Sequence, residues 1–199
     1  MTPAAYAQFW NTVTNLTMVV LGLYGAWRGV RLGLELRMIV CFLALALLGV
    51  GSAAFHGTLR FDAQLADEIP MLWTDAAFLY CVSPQAWRTT APRRTALVTS
   101  LFLVVAFVSL VYVYTRNVMF FESSYGLGTL IITSRCALWA RARRDDPKAA
   151  PARRLIFFGT CLYIFAFVLW TVDNTFCLEL RRVRKIVGPF IAPLFQLHG

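Results

Sequence analysis

The stretch MIVCFLALALLGVGSAAF, residues 38–55, runs for 18 residues without a charge. An α-helix rises about 1.5 Å per residue, so roughly 20 apolar residues cross the hydrocarbon core of a bilayer. Three further blocks have the same character: residues 9–27 (19 uncharged residues), 95–115 (21) and 155–172 (18). Four such blocks in a chain of 199 residues exclude an ordinary soluble core. Bulk composition agrees. The chain is 59% hydrophobic and only 15% charged, where a soluble domain carries about 25% charge. The first block is not a signal peptide. Residues 1–8 hold no Lys or Arg, and 19 residues exceed the roughly 7–15 of a secretory apolar region.

Working outward from these blocks gives an all-α, polytopic membrane bundle forming a single domain over residues 1–199. Six spans are expected, at about 9–27, 37–58, 68–87, 95–115, 119–139 and 154–176. A seventh stretch, 186–199, is an incomplete span of 14 residues. Ser83-Pro84 and Thr90-Ala91-Pro92 break helices three and four apart. Asp145-Asp146-Pro147 makes a turn in the one strongly charged loop, 141–154.

The net charge of +9 does not point to nucleic acid, because most arginines flank the apolar blocks, where they meet lipid headgroups. The loops after helices one, three and five carry twelve Lys and Arg residues, and those after two, four and six carry six. The positive-inside rule then places the N-terminus in the lumen or outside. Five cysteines are scattered without CxxC spacing. Cys41, Cys81, Cys136 and Cys161 read as small hydrophobes within apolar blocks, leaving Cys177 as the one candidate for a disulfide or a reactive thiol.

Polar groups at membrane depth are costly and need a reason. Ser52 and His56 are four apart near the end of helix two, so they share a helix face. Asp67 and Glu68 open helix three on the same side of the membrane, which lets His56 and Asp67 sit side by side across a short turn. His198, the other histidine, enters that leaflet with the seventh stretch. Two imidazoles with a carboxylate and a hydroxyl suit a zinc ion with a bound water. In that case Asp67 takes the water's proton and Ser52 orients the water or the substrate oxyanion. Plainer readings stand beside this one. Gly49-Val50-Gly51-Ser52-Ala53-Ala54 is a small-residue patch of the kind that packs helices closely. Asp67 and Glu68 also suit an acidic first turn, and a single histidine suits a membrane interface. A polar path through Asp75, Glu122 and Arg135 would make a transporter, but no positive feature supports a pore.

The combined motifs resemble the alkaline ceramidases, seven-helix enzymes related to the adiponectin receptors. The matching stretches are residues 9–16, 49–59, 67–71, 170–177 and 196–198. The resemblance implies an amidase that splits ceramide, or a related sphingolipid, into sphingosine and a fatty acid. It also implies a zinc bound by three histidines, with His56 and His198 matching two of them, Ser52 lying near the metal water and Asp67 acting as acid and base. Residence in the endoplasmic reticulum or Golgi membrane is expected. Departures are present too. The third histidine would stand four residues beyond His198, past Gly199. The acidic calcium-binding segment before helix one has no counterpart in residues 1–8, which counts against Ca²⁺. The expectation is therefore a family member cut at both ends. The alternative is a truncated, non-catalytic copy that binds lipid or regulates.

Overall fold

The computed structural model describes residues 3–176 together with 179, 180 and 182. It contains six long α-helices and no strand among the described residues. These are α1 (Pro3–Arg31), α2 (Leu36–Thr58), α3 (Phe61–Val82), α5 (Ala91–Thr115), α6 (Val118–Ala142) and α7 (Ala150–Thr175). A one-turn helix, α4 (Gln85–Thr89), follows the Ser83-Pro84 break, and a 3₁₀ turn (Pro147–Ala149) precedes α7. Three segments, Leu36–Thr58, Ala91–Thr115 and Pro147–Leu169, are long and apolar enough to cross a membrane. His198, Cys177 and the stretch 186–199 lie outside the described residues.

The expected start of helix three, near residue 68, needs correction. The helix begins at Phe61, so Asp67 and Glu68 lie in its second turn and Asp62 is the acidic residue of the first. Polarity misled the reading, because Arg60, Asp62 and Gln64 read as loop. In the helix they pair locally: Arg60 with Asp62, and Gln64 Nε2 donates to Glu68 Oε1 at 3.1 Å, one turn on. The end moves as well, since Trp87 belongs to α4 and not to α3.

The early start leaves two residues between α2 and α3. Leu59 takes the left-handed conformation (φ 54°) and its N–H donates to the Phe55 carbonyl at 2.7 Å. A side chain there costs about 1–2 kcal/mol, and the tight hairpin offsets this by packing α2 on α3. Arg116, at φ 52°, ends α5 in the same way.

Glycines set the helix spacing. A Cβ on Gly49 would lie 2.9 Å from Met18 Cβ and 3.0 Å from the Asn15 carbonyl oxygen, both on α1. A Cβ on Gly51 would run into the Ala66 carbonyl on α3. That carbonyl is free for a reason: its helical partner would be the N–H of residue 70, and Pro70 has none. Gly51 lets α2 come up against it. The small-residue patch thus does the packing its composition suggests, with α2 clasped between α1 and α3.

Outward faces are apolar. Leu110 is 71% exposed and Leu155 74%. Surfaces of this kind are stable against lipid tails and not against water. Trp27 beneath Arg31 and Trp139 beneath Arg143 (4.7 Å from the guanidinium carbon to the ring centre) mark one interface, on the side of the arginine-rich loops.

Candidate functional site

The α2–α3 hairpin fixes the polar centre. Ser52 stands seven residues before Leu59, and Asp67 stands seven residues after Arg60. In an antiparallel hairpin, positions equally far from the turn lie opposite each other. Ser52 and Asp67 accordingly face each other across the hairpin, within interaction range. From α1, Asn15 Nδ2 donates to Ser52 Oγ at 2.8 Å. The Ser52 oxygen therefore accepts from Asn15, which leaves its own proton able to turn towards Asp67. Three helices meet in one relay of amide, hydroxyl and carboxylate.

His56 lies one turn beyond Ser52 towards the end of α2, half-buried, with its ring centre 5.1 Å from that of Phe55. Next to it, a Cβ on Gly57 would sit 3.9 Å from Thr12, so α1 reaches this turn too. Ser52, one turn before His56, is the α2 residue that faces Asp67. No group of three His, Cys, Asp or Glu side chains able to hold a metal occurs among the described residues. His56 is a single imidazole donor there, and His198 lies outside them.

Glu68 turns away from this relay. Tyr112, near the end of α5 and 1% exposed, donates its hydroxyl to Glu68, which also accepts from Gln64. Phe121 of α6 packs on Tyr112 with ring centres 5.0 Å apart. The ends of α2 and α5 and the beginnings of α3 and α6 thus gather on one side of the bundle. Deeper in, Asp75 is buried against α6, where Thr129 Oγ1 donates to its Oδ2 at 3.5 Å and Gly128 leaves it room. Arg135 is exposed, so Asp75, Glu122 and Arg135 do not line a shared buried path.

A crevice of about 890 Å³ opens between α2, α3 and α5. It runs from the Glu35–Arg37 ion pair, past Ala44 and Ala77, to Leu47 and Pro70. Pro70 is one turn from Asp67.

The sequence matches the model of the ceramidase family over residues 2–199. The chain belongs to the ceramidase family. It is 34% identical over 196 residues to alkaline ceramidase 3 of Mus musculus, covering 97% of this chain and 70% of that protein. It is 27% identical over 173 residues to an alkaline ceramidase of Arabidopsis thaliana, covering 86% of this chain and 64% of the relative. With an alkaline ceramidase of Saccharomyces cerevisiae it shares 25% identity over 205 residues, covering 97% and 65%. The chain spans about two thirds of the length of these relatives. A ceramidase is a hydrolase of an amide bond.

Two participants around the ceramidase-family centre were not singled out from the sequence. Asn15 sits in the 9–16 stretch, and the signal for it was spacing: Asn11 and Asn15 are four apart and share one face of α1. Asn11 Nδ2 is buried and makes no hydrogen bond among the described residues. Tyr112 had a weaker signal, as a phenol inside an apolar block on the Asp67 side of the membrane.

Proposed function

We propose that this chain is a membrane-embedded amidase that hydrolyses ceramide to sphingosine and a fatty acid, with a zinc ion at a centre that includes His56 and His198. The observation that carries the reading is the Asn15–Ser52–Asp67 relay at membrane depth in a ceramidase-family chain. A carboxylate and a hydroxyl set face to face between three helices is an expensive arrangement for packing alone.

Among the described residues His56 would be one imidazole ligand to zinc, with a hydroxyl one turn away and a carboxylate on the facing helix, and His198, outside them, would be a second. Bound there, zinc would lower the pKa of a water and polarise the amide carbonyl. Asp67 takes the proton from the attacking water. As the C–N bond breaks, it returns a proton to the sphingosine nitrogen, which leaves as the neutral amine. Ser52 positions Asp67, because its hydroxyl proton turns to one carboxylate oxygen and leaves the other for catalysis. Asn15 fixes the Ser52 rotamer. Asn11 Nδ2, a buried donor without a partner among the described residues, is suited to bond the substrate carbonyl oxygen as charge develops on it. One hydrocarbon chain of the substrate runs into the crevice past Pro70.

The same reading places the chain in the endoplasmic reticulum or Golgi membrane with its N-terminus luminal, supported by the twelve-to-six bias of Lys and Arg.

The test is release of labelled fatty acid from ceramide by the purified protein in lipid vesicles. Chelation should stop the release and zinc should restore it. No release with zinc supplied would overturn the proposal.

A further inference from the structure

Cys41 of α2 and Cys81 of α3 stand 40 positions apart in the chain, yet their sulfurs lie 3.4 Å apart. The contact is held from both sides. The Cys81 thiol donates to the Arg37 carbonyl at 3.7 Å, and Arg37 Nη1 donates back to the Cys81 carbonyl at 3.2 Å. Arg37 is itself anchored by Glu35, Nε to Oε2 at 2.7 Å. Reading the two cysteines as separate small hydrophobes therefore misses their pairing. A disulfide has sulfurs about 2.05 Å apart, so the pair must close by about 1.4 Å, a distance that side-chain rotation supplies.

We infer that Cys41 and Cys81 form an oxidisable thiol pair that peroxide converts to a disulfide joining α2 to α3. Cys81 is half-buried at the penultimate position of α3, whereas Cys41 is 8% exposed, so peroxide meets Cys81 first. The Cys81 sulfur attacks one peroxide oxygen, the O–O bond breaks, and Cys81 becomes a sulfenic acid as one water leaves. The Cys41 sulfur then attacks the Cys81 sulfur, the S–O bond breaks, and the second water leaves with the Cys41 proton. Two thiols lose two electrons and hydrogen peroxide gains them.

The bond would close the hairpin at the end opposite the Leu59–Arg60 turn. Along the axis of α2, Cys41 is about 16 Å from Ser52. Oxidation therefore ties the two helices together without touching the relay. This inference stands whether or not the amidase reading holds.

The test uses the full chain in lipid vesicles. After hydrogen peroxide treatment, free thiols are capped with N-ethylmaleimide in denaturant and the peptides are mapped by mass spectrometry. The Cys41 and Cys81 peptides should be recovered linked, two hydrogens lighter than their sum, and dithiothreitol should return both. The oxidised protein should unfold at a higher temperature than the reduced one. Cys41→Ser should leave Cys81 as a sulfenic acid that dimedone traps. If Cys41→Ser does not fold, the wild-type map decides alone. Both cysteines capped separately after peroxide, or either one linked to a different cysteine, would overturn the inference.

Discussion

The Ser52 hydroxyl faces the Asp67 carboxylate across the α2–α3 hairpin, each seven residues from its two-residue turn. If Ser52 positions Asp67, Ser52→Ala should lower the turnover of ceramide by roughly tenfold or more while KM changes little, because the general base loses its orientation. Ser52→Thr keeps the hydroxyl and should recover part of the rate. Steady-state kinetics of the two variants checks this, and equal rates for both would remove the positioning role.

Asn15→Leu removes the donor to Ser52 but keeps the side-chain bulk. Side-chain hydrogen bonds between membrane helices are worth about 0.6 kcal/mol on average, so the unfolding midpoint should fall only slightly. Activity should fall by more than that stability loss explains. Thermal unfolding and activity measured on the same preparation separate the two effects.

Gly51→Ala should be among the most damaging single-methyl changes in the chain. The added carbon meets a backbone carbonyl on α3, which cannot swing aside like a flexible side chain. Overpacking of this kind costs about 1–3 kcal/mol, and α2 and α3 should separate enough to part Ser52 from Asp67. Gly159→Ala, where nothing lies within 4 Å, is the matched control and should be neutral or slightly stabilising. Thermal midpoints in one detergent compare them directly.

Tyr112→Phe leaves Glu68 without its donor from α5. Glu68 is half-buried and keeps its Gln64 donor, so losing this hydrogen bond costs about 0.5–1.5 kcal/mol. Stability should drop accordingly, and the double variant with Glu68→Leu should recover most of it. Additive losses in that cycle would show that the two residues are not coupled.

Much of this architecture was legible from apolar runs alone. Residues 38–55 and 95–115 fall inside α2 and α5, and the expected span 119–139, which carries Glu122 and Arg135, lies inside the continuous helix α6. The start of α3 was not legible, because Arg60, Asp62 and Gln64 look like loop until Gln64 is seen bonded to Glu68 one turn away. Ser52, His56 and Asp67 could be gathered on one side because they flank one turn, but that Ser52 faces Asp67 depends on the α3 start at Phe61. Asn15, Tyr112 and the Cys41–Cys81 pair could not be assigned partners. Each depends on which faces of helices distant in sequence turn towards one another, and near-uniform apolar helices carry little sign of that.

The most direct measurement compares wild type with Asp67→Asn in lipid vesicles containing labelled ceramide and zinc. Asparagine keeps the shape and can still accept from Ser52, but it cannot take a proton. Wild type should release fatty acid, and the variant should do so about 10²–10⁴-fold more slowly at an unchanged unfolding temperature. Equal release by the two proteins would contradict Asp67 as the acid–base group.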